Sequence, residues 1–299
     1  MIKRTLFFSN PCYLSTQLKQ LVVDLREQNI KKSVALEDVG FIILEHPQIT
    51  ITSGAIQEMA ANNIAVIFCD NHYMPASMLF HLDTHFVQHE RFQNQVNASV
   101  PLKKQLWQQT TKAKILNQSA VLETFEKDGM ALKQMAKDVL SGDSTGREAK
   151  AAKVYWNRLF GDEFRRERFG DWPNPLLNYG YAILRAATAR ALSATGLLNT
   201  LGIHHRNKYN SFCLADDIME PYRPWVDKEV FRIYGMDEFP ELNKNHKALL
   251  LGVLTHDTRI ENETSPLMIA LQRTAQSLAH CFEGTKKTIV YPTIPFQNG

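Results

Sequence analysis

Two kinds of hydrophobic pattern divide the chain. Up to about residue 75, short apolar runs are bounded by Asn, Pro, Gly and Asp, which is typical of strands. These runs are RTLFFSN, QLVVDL, GFIILE and IAVIFCD. One helix is expected among them in SGAIQEMAAN, with Ser53 as its N-cap, Gln57 near capping-box spacing and the Asn62-Asn63 pair at its end.

From about residue 78 the apolar positions recur at helical spacing instead. The clearest stretches are PLKKQLWQQTTKAKILNQSAVLETF, GREAKAAKVYWNRLF, PLLNYGYAILRAATARALSAT and SPLMIALQRTAQSLAHCF. A further strand is expected only in TIVYPTI, near the end. We therefore predict an α+β protein with a small β-rich N-terminal domain (1-75), a linker (76-90) and a larger all-helical catalytic domain (91-299).

Composition narrows the class of protein. The 299 residues are 44% hydrophobic and 22% charged, as in a globular protein with a sizeable core. No run approaches the roughly 20 apolar residues of a membrane span, and the first residues do not resemble a signal peptide. The four cysteines are scattered without a CxxC pair, so we expect them to be reduced and mostly buried, and the protein to be cytoplasmic.

The charge of the chain is unevenly distributed. The net charge is only +3, but residues 91–168 carry 15 Lys and Arg against 9 Asp and Glu. This excess suits a polyanion such as DNA, although an ordinary solvated helix surface explains it equally well. The candidate phosphate contacts are Lys103, Lys104, Lys112, Lys114, Arg165, Arg166 and Arg168.

Acidic residues and histidines mark a candidate site. Glu148 follows Ser144 and Thr145, either of which can cap a helix, and by itself it could simply complement the helix dipole. In GIHHRNKYNSFCLADDIMEPYRP, Asp217 and Glu220 are three apart, so on a helix that ends before Pro221 they share a face. A histidine taken alone is more often structural, but carboxylates with one imidazole together suit Mg²⁺ or Mn²⁺.

A second metal pattern is weaker. His256-Asp257 in LTHDTRIENE matches the centre of an HD-type phosphohydrolase motif. That motif needs another aspartate downstream, and the sequence has none after Asp257. The HD interpretation therefore lacks a ligand.

Several separated blocks resemble one known family. They are MAANNIAVIFCD, AKILNQ, TGREAKAAKVYW, NPLLNYGYAIL and GIHHRNKYNSFCLADDIMEPYRP, in an order and spacing that are highly specific. They resemble the CRISPR-associated integrase/endonuclease that installs new spacers, and most closely its type II branch. Asn63 departs from the family pattern, which has a glycine after the first helix.

The resemblance implies a site and a reaction. Glu148 matches the first acidic metal ligand, His205 the histidine and Glu220 the last acidic ligand. His204 falls on a variable position, and Asp217 on a supporting acidic one. The implied activity is a Mg²⁺- or Mn²⁺-dependent transesterification that inserts spacers into a CRISPR array, with nuclease activity when water attacks instead.

The resemblance also implies partners. These are double-stranded DNA, a second copy of the chain in a homodimer formed by the β-rich domain, and a small ferredoxin-like CRISPR-associated protein. Two other hypotheses stay open at this point. One is a non-catalytic DNA-binding scaffold of the same fold, and the other is a metal-dependent phosphohydrolase of small nucleotides.

Overall fold

The computed structural model describes residues 4–79, 85–236 and 241–295. It divides the chain into two units, 1–83 and 84–299. The first unit is rich in strands and the second is mainly helical, so the predicted α+β class is confirmed. The segment 76–90, predicted to be a linker, overlaps the strand Pro75–Met78 and the start of the helix Gln88–Val96. The strand forms because this segment returns antiparallel to its neighbour in the sheet.

Eight strands form two four-stranded sheets in the described part of the first unit. In chain order they are β1 (Arg4–Phe8), β2 (Tyr13–Gln17), β3 (Gln20–Leu25), β4 (Ile30–Ala35), β5 (Val39–Leu44), β6 (Thr50–Ile51), β7 (Ala65–Cys69) and β8 (Pro75–Met78). The sheet orders are β1-β5-β7-β8 and β4-β3-β2-β6. The four predicted strands are β1, β3, β5 and β7. The other four escaped prediction because they are polar or very short.

Side chains from both sheets and from the helix α1 (Ser53–Ala61) share one apolar core. Strand β5 lies between parallel partners β1 and β7, and all six of its residues are buried. This burial on both faces explains why its sequence is continuously apolar rather than alternating. The largest core contributions include Leu14, Leu21, Leu36, Ile42 and Met59.

Helix α1 differs from its prediction at one end. Its N-cap is Thr52, not Ser53, because Thr52 has the extended backbone of a cap and its hydroxyl accepts the Ala55 N–H at 3.2 Å. The other end follows the prediction, since Asn63 adopts a left-handed φ of 54°. Asparagine therefore makes the turn for which the family pattern has glycine.

The second unit contains nine helices and one hairpin in its described residues. They are α2 (Gln88–Val96), α3 (Val100–Thr124), α4 (Met130–Lys137), α5 (Arg147–Phe160), α6 (Asn174–Ala194), α7 (Cys213–Met219), α8 (Arg223–Met236), α9 (Lys244–Gly252), β9 (Asp257–Ile260), β10 (Glu263–Pro266) and α10 (Leu267–Phe282). The hairpin corrects the all-helical prediction. Glu261 and Asn262 make its two-residue turn with positive φ angles of 49° and 69°, without the glycine that would have signalled it.

The segment TIVYPTI corrects a second prediction, because it forms no regular strand. It makes one isolated bridge, between Thr293 and Arg259. Two of its backbone N–H groups bond to side chains: that of Ile289 donates to Gln109 Oε1, and that of Val290 donates to Ser277 Oγ. The segment therefore runs across α3 and α10 instead of joining a sheet.

Helix α3 runs through the second unit and packs on α4, α5 and α8. Helices α6 and α8 approach closely at Gly180, where an added Cβ would lie 2.4 Å from Val226. None of the helices in the described ranges is long and apolar enough to cross a membrane. The four cysteines are free thiols, three of them buried, as predicted.

Candidate metal centre

The first turn of α5 carries Glu148. Neither Ser144 nor Thr145 caps this helix, which corrects the prediction. Gly146 occupies the N-cap position with a left-handed φ of 61°. This turn directs the side chain of Asp143 at the free N–H groups of the first helical turn. Its carboxylate accepts the N–H of Arg147 at 2.8 Å and the N–H of Glu148 at 3.0 Å. Asp143 therefore sets the start of the helix and the position of Glu148.

The loop before α7 wraps around the carboxylate of Asp217, which is completely buried. Asp217 accepts the backbone N–H groups of Ile203 at 2.7 Å, His204 at 2.9 Å and His205 at 3.2 Å. Gly202 begins this loop, and a Cβ there would lie 2.5 Å from the His205 carbonyl oxygen and 2.7 Å from Asp217 Oδ2. The glycine is required because the loop closes so tightly on the carboxylate.

The same carboxylate orients the side chain of His205. The Nδ1 atom of His205 lies 2.5 Å from Asp217 Oδ1. A carboxylate can only accept, so Nδ1 carries the hydrogen, and in the neutral imidazole Nε2 keeps its lone pair. The hydrogen bond to Asp217 raises the pKa of His205 against the opposing effect of burial. An imidazole held by a carboxylate in this way is the usual arrangement of a histidine that binds metal through its other nitrogen.

His204 has a different environment. Its ring stacks on the indole of Trp107 with centroids 4.1 Å apart and planes 4° apart. The same indole meets His205 edge-on at 5.9 Å. Trp107 is a buried residue of α3, so the stack anchors the histidine loop to that helix. Asp217 accepts the backbone N–H groups of both histidines, but of the two rings it bonds that of His205.

Glu220 lies just after α7, in a single 3₁₀ turn at Glu220–Tyr222 that leads into α8. Helix α7 therefore ends before Pro221, as predicted, but the chain continues in helical form. Glu220 Oε1 lies 2.9 Å from Arg223 Nη2. Burial raises the pKa of Glu220, but Arg223 and Lys114 outweigh it, so the pKa falls below its ordinary value. Glu220 is therefore held as a buried carboxylate ion.

Glu148 and Glu220 converge on one cationic atom. Lys114 Nζ lies 2.6 Å from Glu148 Oε1 and 2.7 Å from Glu220 Oε2. Burial lowers the pKa of Lys114, but the two carboxylates more than offset it and the pKa is raised. Lys114 lies seven residues after Trp107, on the inward face of α3, and is 9% exposed. Its ammonium is therefore paired with two carboxylates inside the protein and is not on the open surface.

The residues at this position fit a divalent cation. Glu220 Oε2 is buried and makes no well-directed hydrogen bond in the described structure, although the Lys114 ammonium is 2.7 Å away. The Lys114 ammonium balances the charge of this oxygen. Together with Glu148 and His205, Glu220 supplies donor groups of the types found in Mg²⁺ and Mn²⁺ sites. As they lie, no three His, Cys, Asp or Glu side chains in the described ranges are grouped closely enough to hold an ion.

Asn117 joins the elements that carry the site. Its amide donates to the Pro221 carbonyl at 2.8 Å and to the Pro292 carbonyl at 3.1 Å. It thereby ties α3, which carries Lys114, to the turn that carries Glu220 and to the C-terminal segment. The block AKILNQ supplies both the lysine and this asparagine, so the motif that carried the resemblance also builds the site.

The other predicted phosphate contacts lie in varied environments. Arg166 is held by Asn174 at 3.0 Å and Asn178 at 2.8 Å. Arg165 and Arg168 are exposed in the loop between α5 and α6, and Lys104 is exposed on α3, whereas Lys103 and Lys112 are half-buried. Sequence reasoning missed Arg223 and Trp107 as parts of the site. The only signal for Arg223 was its place in the block MEPYRP.

Solved structures share this fold. A casposase bound to integration product matches with a TM-score of 0.80 at 19% identity, covering 97% of this chain and 92% of its own. A Cas6-RT-Cas1–Cas2 complex matches with a TM-score of 0.71 at 19% identity, covering 96% of this chain and 35% of its own. At such identities the likeness establishes the fold alone.

The sequence comparisons identify the family. Residues 6–259 match the family described as CRISPR associated protein Cas1. The CRISPR-associated endonuclease Cas1 of Neisseria meningitidis is 36% identical over 280 residues, which cover 93% of this chain and 91% of the relative. A CRISPR-associated endonuclease Cas1 of Francisella tularensis subsp. novicida is 28% identical over 74% of this chain and 76% of its own length. The chain therefore belongs to the Cas1 family of CRISPR-associated proteins.

Proposed function

We propose that the protein is a DNA integrase and endonuclease of CRISPR adaptation whose activity depends on Mg²⁺ or Mn²⁺. Glu148, His205 and Glu220 are the proposed ligands and the catalytic centre. One observation carries the proposal: carboxylates 72 residues apart in sequence converge on a single cationic atom, Lys114 Nζ. Membership of a family whose curated relatives are named endonucleases supports it.

The proposed reaction is a strand transfer. The 3′-hydroxyl of a spacer precursor loses its proton and attacks a phosphodiester at the repeat boundary. A new P–O bond forms, the bond to the leaving 3′-oxygen breaks, and that oxygen takes up a proton. A divalent cation, when bound, lowers the pKa of the attacking hydroxyl and stabilises charge on the phosphoryl and leaving oxygens. With water in place of the hydroxyl, the same centre hydrolyses the strand.

The chain's own residues prepare this site. Arg223 holds one oxygen of Glu220 and keeps its carboxylate ionised, which leaves Oε2 directed at the centre. Asp217 holds His205 in the tautomer whose Nε2 can accept. Glu148 is fixed by the Asp143 cap at the start of α5. Three side chains from three segments are therefore each oriented by a separate neighbour.

DNA is the proposed substrate, as spacer precursor and as CRISPR repeat. The basic excess between residues 91 and 168 supports this, because contacts to phosphates supply most of the sequence-independent affinity. A protein of the same fold, the casposase bound to integration product, supports a substrate of this class. The four free thiols are consistent with the reducing cytoplasm, where we place the protein.

Two protein partners belong to the proposal. One is a second copy of the chain, which would pair through the first unit, where β8 and β4 are sheet edges that another strand can meet. The other is a small ferredoxin-like CRISPR-associated protein. A structural neighbour that contains Cas1 and Cas2 in one complex supports a protein partner for this fold.

Integration of a labelled duplex into a plasmid that bears a repeat tests the proposal. With the purified partner, we expect products in Mg²⁺ or Mn²⁺ and none in EDTA. Glu148→Gln, His205→Ala and Glu220→Gln should each abolish them, whereas Glu163→Gln, at an exposed carboxylate after α5, should not. Integration products from all three variants would rule out the proposed catalytic centre. DNA binding by the wild-type protein without any products would support a non-catalytic scaffold. Hydrolysis of small nucleotides alone would support the phosphohydrolase.

A further inference from the structure

We infer that Lys114 occupies the proposed metal position while no divalent cation is bound, and that it yields this position as DNA arrives. The inference rests on the proposed function, because it concerns the same carboxylates. It adds a role for a residue of α3 that is neither a ligand nor a surface contact. It also predicts that binding of metal and binding of DNA strengthen each other.

The positions of the ammonium and of a metal ion exclude one another. Lys114 Nζ is 2.6 Å from Glu148 Oε1 and 2.7 Å from Glu220 Oε2, so these oxygens are at most about 5.3 Å apart. A Mg²⁺ ion binds oxygens at about 2.1 Å, and an ion held by both glutamates would lie between the same two carboxylates. The space between the carboxylates therefore holds one cation at a time.

A cation is needed there whether or not metal is present. The Glu220 side chain is 5% exposed, and it faces a second carboxylate across the site. A buried carboxylate without a partner is strongly destabilising. Arg223 does not replace the ammonium, because it contacts the other oxygen of Glu220. Lys114 therefore supplies the charge that stabilises the metal-free fold.

One side of the site is exposed to solvent, and the Lys114 ammonium can move toward it. The side chains of Glu148 and His205 are 25% and 44% exposed, whereas that of Lys114 is 11% exposed. The lysine stem is long and flexible, so its ammonium can swing toward this side without movement of α3. A DNA phosphate approaching the carboxylates from solvent would offer the displaced ammonium a new anionic partner.

Displacement of the Lys114 ammonium couples the binding of metal to the binding of DNA. Without DNA, a metal ion must displace the lysine into water and lose its two ion pairs. With DNA, the phosphate compensates for that loss. Because coupling between two ligands is reciprocal, metal should tighten DNA binding by the same factor by which DNA tightens metal binding.

Binding of Mn²⁺, measured by electron paramagnetic resonance of the free ion, tests the inference. The full-length protein is titrated with and without a short duplex whose 3′ ends are blocked. Without DNA, we expect Lys114→Met to bind Mn²⁺ roughly tenfold more tightly than wild type, within the usual range of such couplings. We expect DNA to tighten Mn²⁺ binding in wild type and to have much less effect in the variant. Lys287→Met, at an exposed lysine outside the basic region, is the matched control and should behave like wild type.

Weaker or unchanged Mn²⁺ binding by Lys114→Met would overturn the inference. Removal of a lysine that only supports the carboxylates would lower the affinity for Mn²⁺ or leave it unchanged. If the variant fails to fold, Lys114→Gln gives the same comparison with a polar side chain. Glu148→Gln and Glu220→Gln separate the two proposals. If Mn²⁺ binding survives both changes in the wild-type background, the proposed metal centre itself is wrong. If they abolish it while Lys114→Met leaves affinity unchanged, only the role of Lys114 is wrong.

Discussion

His205 donates its Nδ1–H to Asp217 at 2.5 Å, and the same carboxylate holds the backbone of the loop that carries this histidine. One buried group therefore determines both where the imidazole lies and which of its nitrogens is bonded. Asp217 is a positioning residue, because it acts on the site through His205. Its neighbour in sequence, Asp216, instead forms an ion pair with Arg185, whose Nε lies 2.6 Å from Asp216 Oδ1.

Replacement of Asp217 should therefore impair the site through its histidine. An asparagine has one accepting oxygen, so Asp217→Asn leaves buried N–H groups of the loop without acceptors, at a cost of about 1–3 kcal/mol for each. We expect a lower melting temperature and weaker Mn²⁺ binding, with strand transfer partly restored at high Mn²⁺. Asp216→Asn should lower the melting temperature without the change in Mn²⁺ affinity. Equal Mn²⁺ affinities for Asp217→Asn and wild type would contradict the positioning role.

His204 should contribute through its stack on Trp107. His204→Ala removes a ring contact usually worth about 0.5–1.5 kcal/mol and should reduce strand transfer far less than His205→Ala. His204→Phe keeps an aromatic ring over the indole, so it should retain more activity than alanine. The three variants are compared in one integration assay at saturating metal. Greater damage from His204→Ala than from His205→Ala would mean that the two histidines have exchanged roles.

The cap of α5 offers a test with an internal control. Asp143→Ala removes the acceptor of two N–H groups at the start of the helix and should cost about 1 kcal/mol of stability. Ser144→Ala should cost little, because the Ser144 side chain makes no cap bond. Urea denaturation of the two variants measures both values. A larger loss for Ser144→Ala would show that the cap is assigned to the wrong residue.

Asp227 should make the stability of the fold depend on pH. Burial raises its pKa to about 7, against the opposing hydrogen bonds from Tyr181 and Tyr155 and the charge of Arg223. Between about pH 4 and pH 7 the folded protein holds a proton that the unfolded chain has lost. The associated stability is fully present below about pH 4 and is lost as the pH rises through about 7.

Asp227→Asn should therefore flatten the profile of unfolding free energy against pH in that window. Asp162→Asn, at an exposed aspartate, should leave the profile unchanged. Chemical denaturation at a series of pH values from about 4 to about 8 supplies the comparison. Identical slopes for Asp227→Asn and wild type would show that the carboxyl group ionises normally.

The loop after α5 should contribute to DNA affinity without reading its sequence. Arg165→Ala and Arg168→Ala should weaken binding to unrelated duplexes about equally. Each should also make the slope of log binding constant against log salt concentration shallower, by the amount expected for about one lost phosphate contact. Arg166→Ala should also lower the melting temperature, because Arg166 is bonded to Asn174 and Asn178. Fluorescence anisotropy at several salt concentrations measures the slopes. A loss confined to one duplex sequence would indicate base contacts instead.

The sequence by itself determined the division into a strand-rich and a helical part, because strand and helix periodicities are local properties of the chain. It also determined the order of the motif blocks, and with them the family and the candidate residues Glu148, His205 and Glu220. It did less well at helix starts. Thr52 caps α1 in place of Ser53, and at the start of α5 the Asp143 carboxylate accepts the free N–H groups in place of Ser144 or Thr145. A cap is selected by backbone angles that several neighbouring polar residues could satisfy equally well.

Only the tertiary structure decided how the residues of the site divide their work. Asp217 and Glu220 are three apart, yet Asp217 binds the histidine loop while Glu220 faces Lys114 on α3. The charge pattern grouped Lys114 with the other candidate phosphate contacts, because composition does not tell which face of a helix a long side chain occupies. Two carboxylates brought together from distant segments hold it inward. Their electrostatic attraction exists only after the chain has folded, so no local pattern could have predicted it.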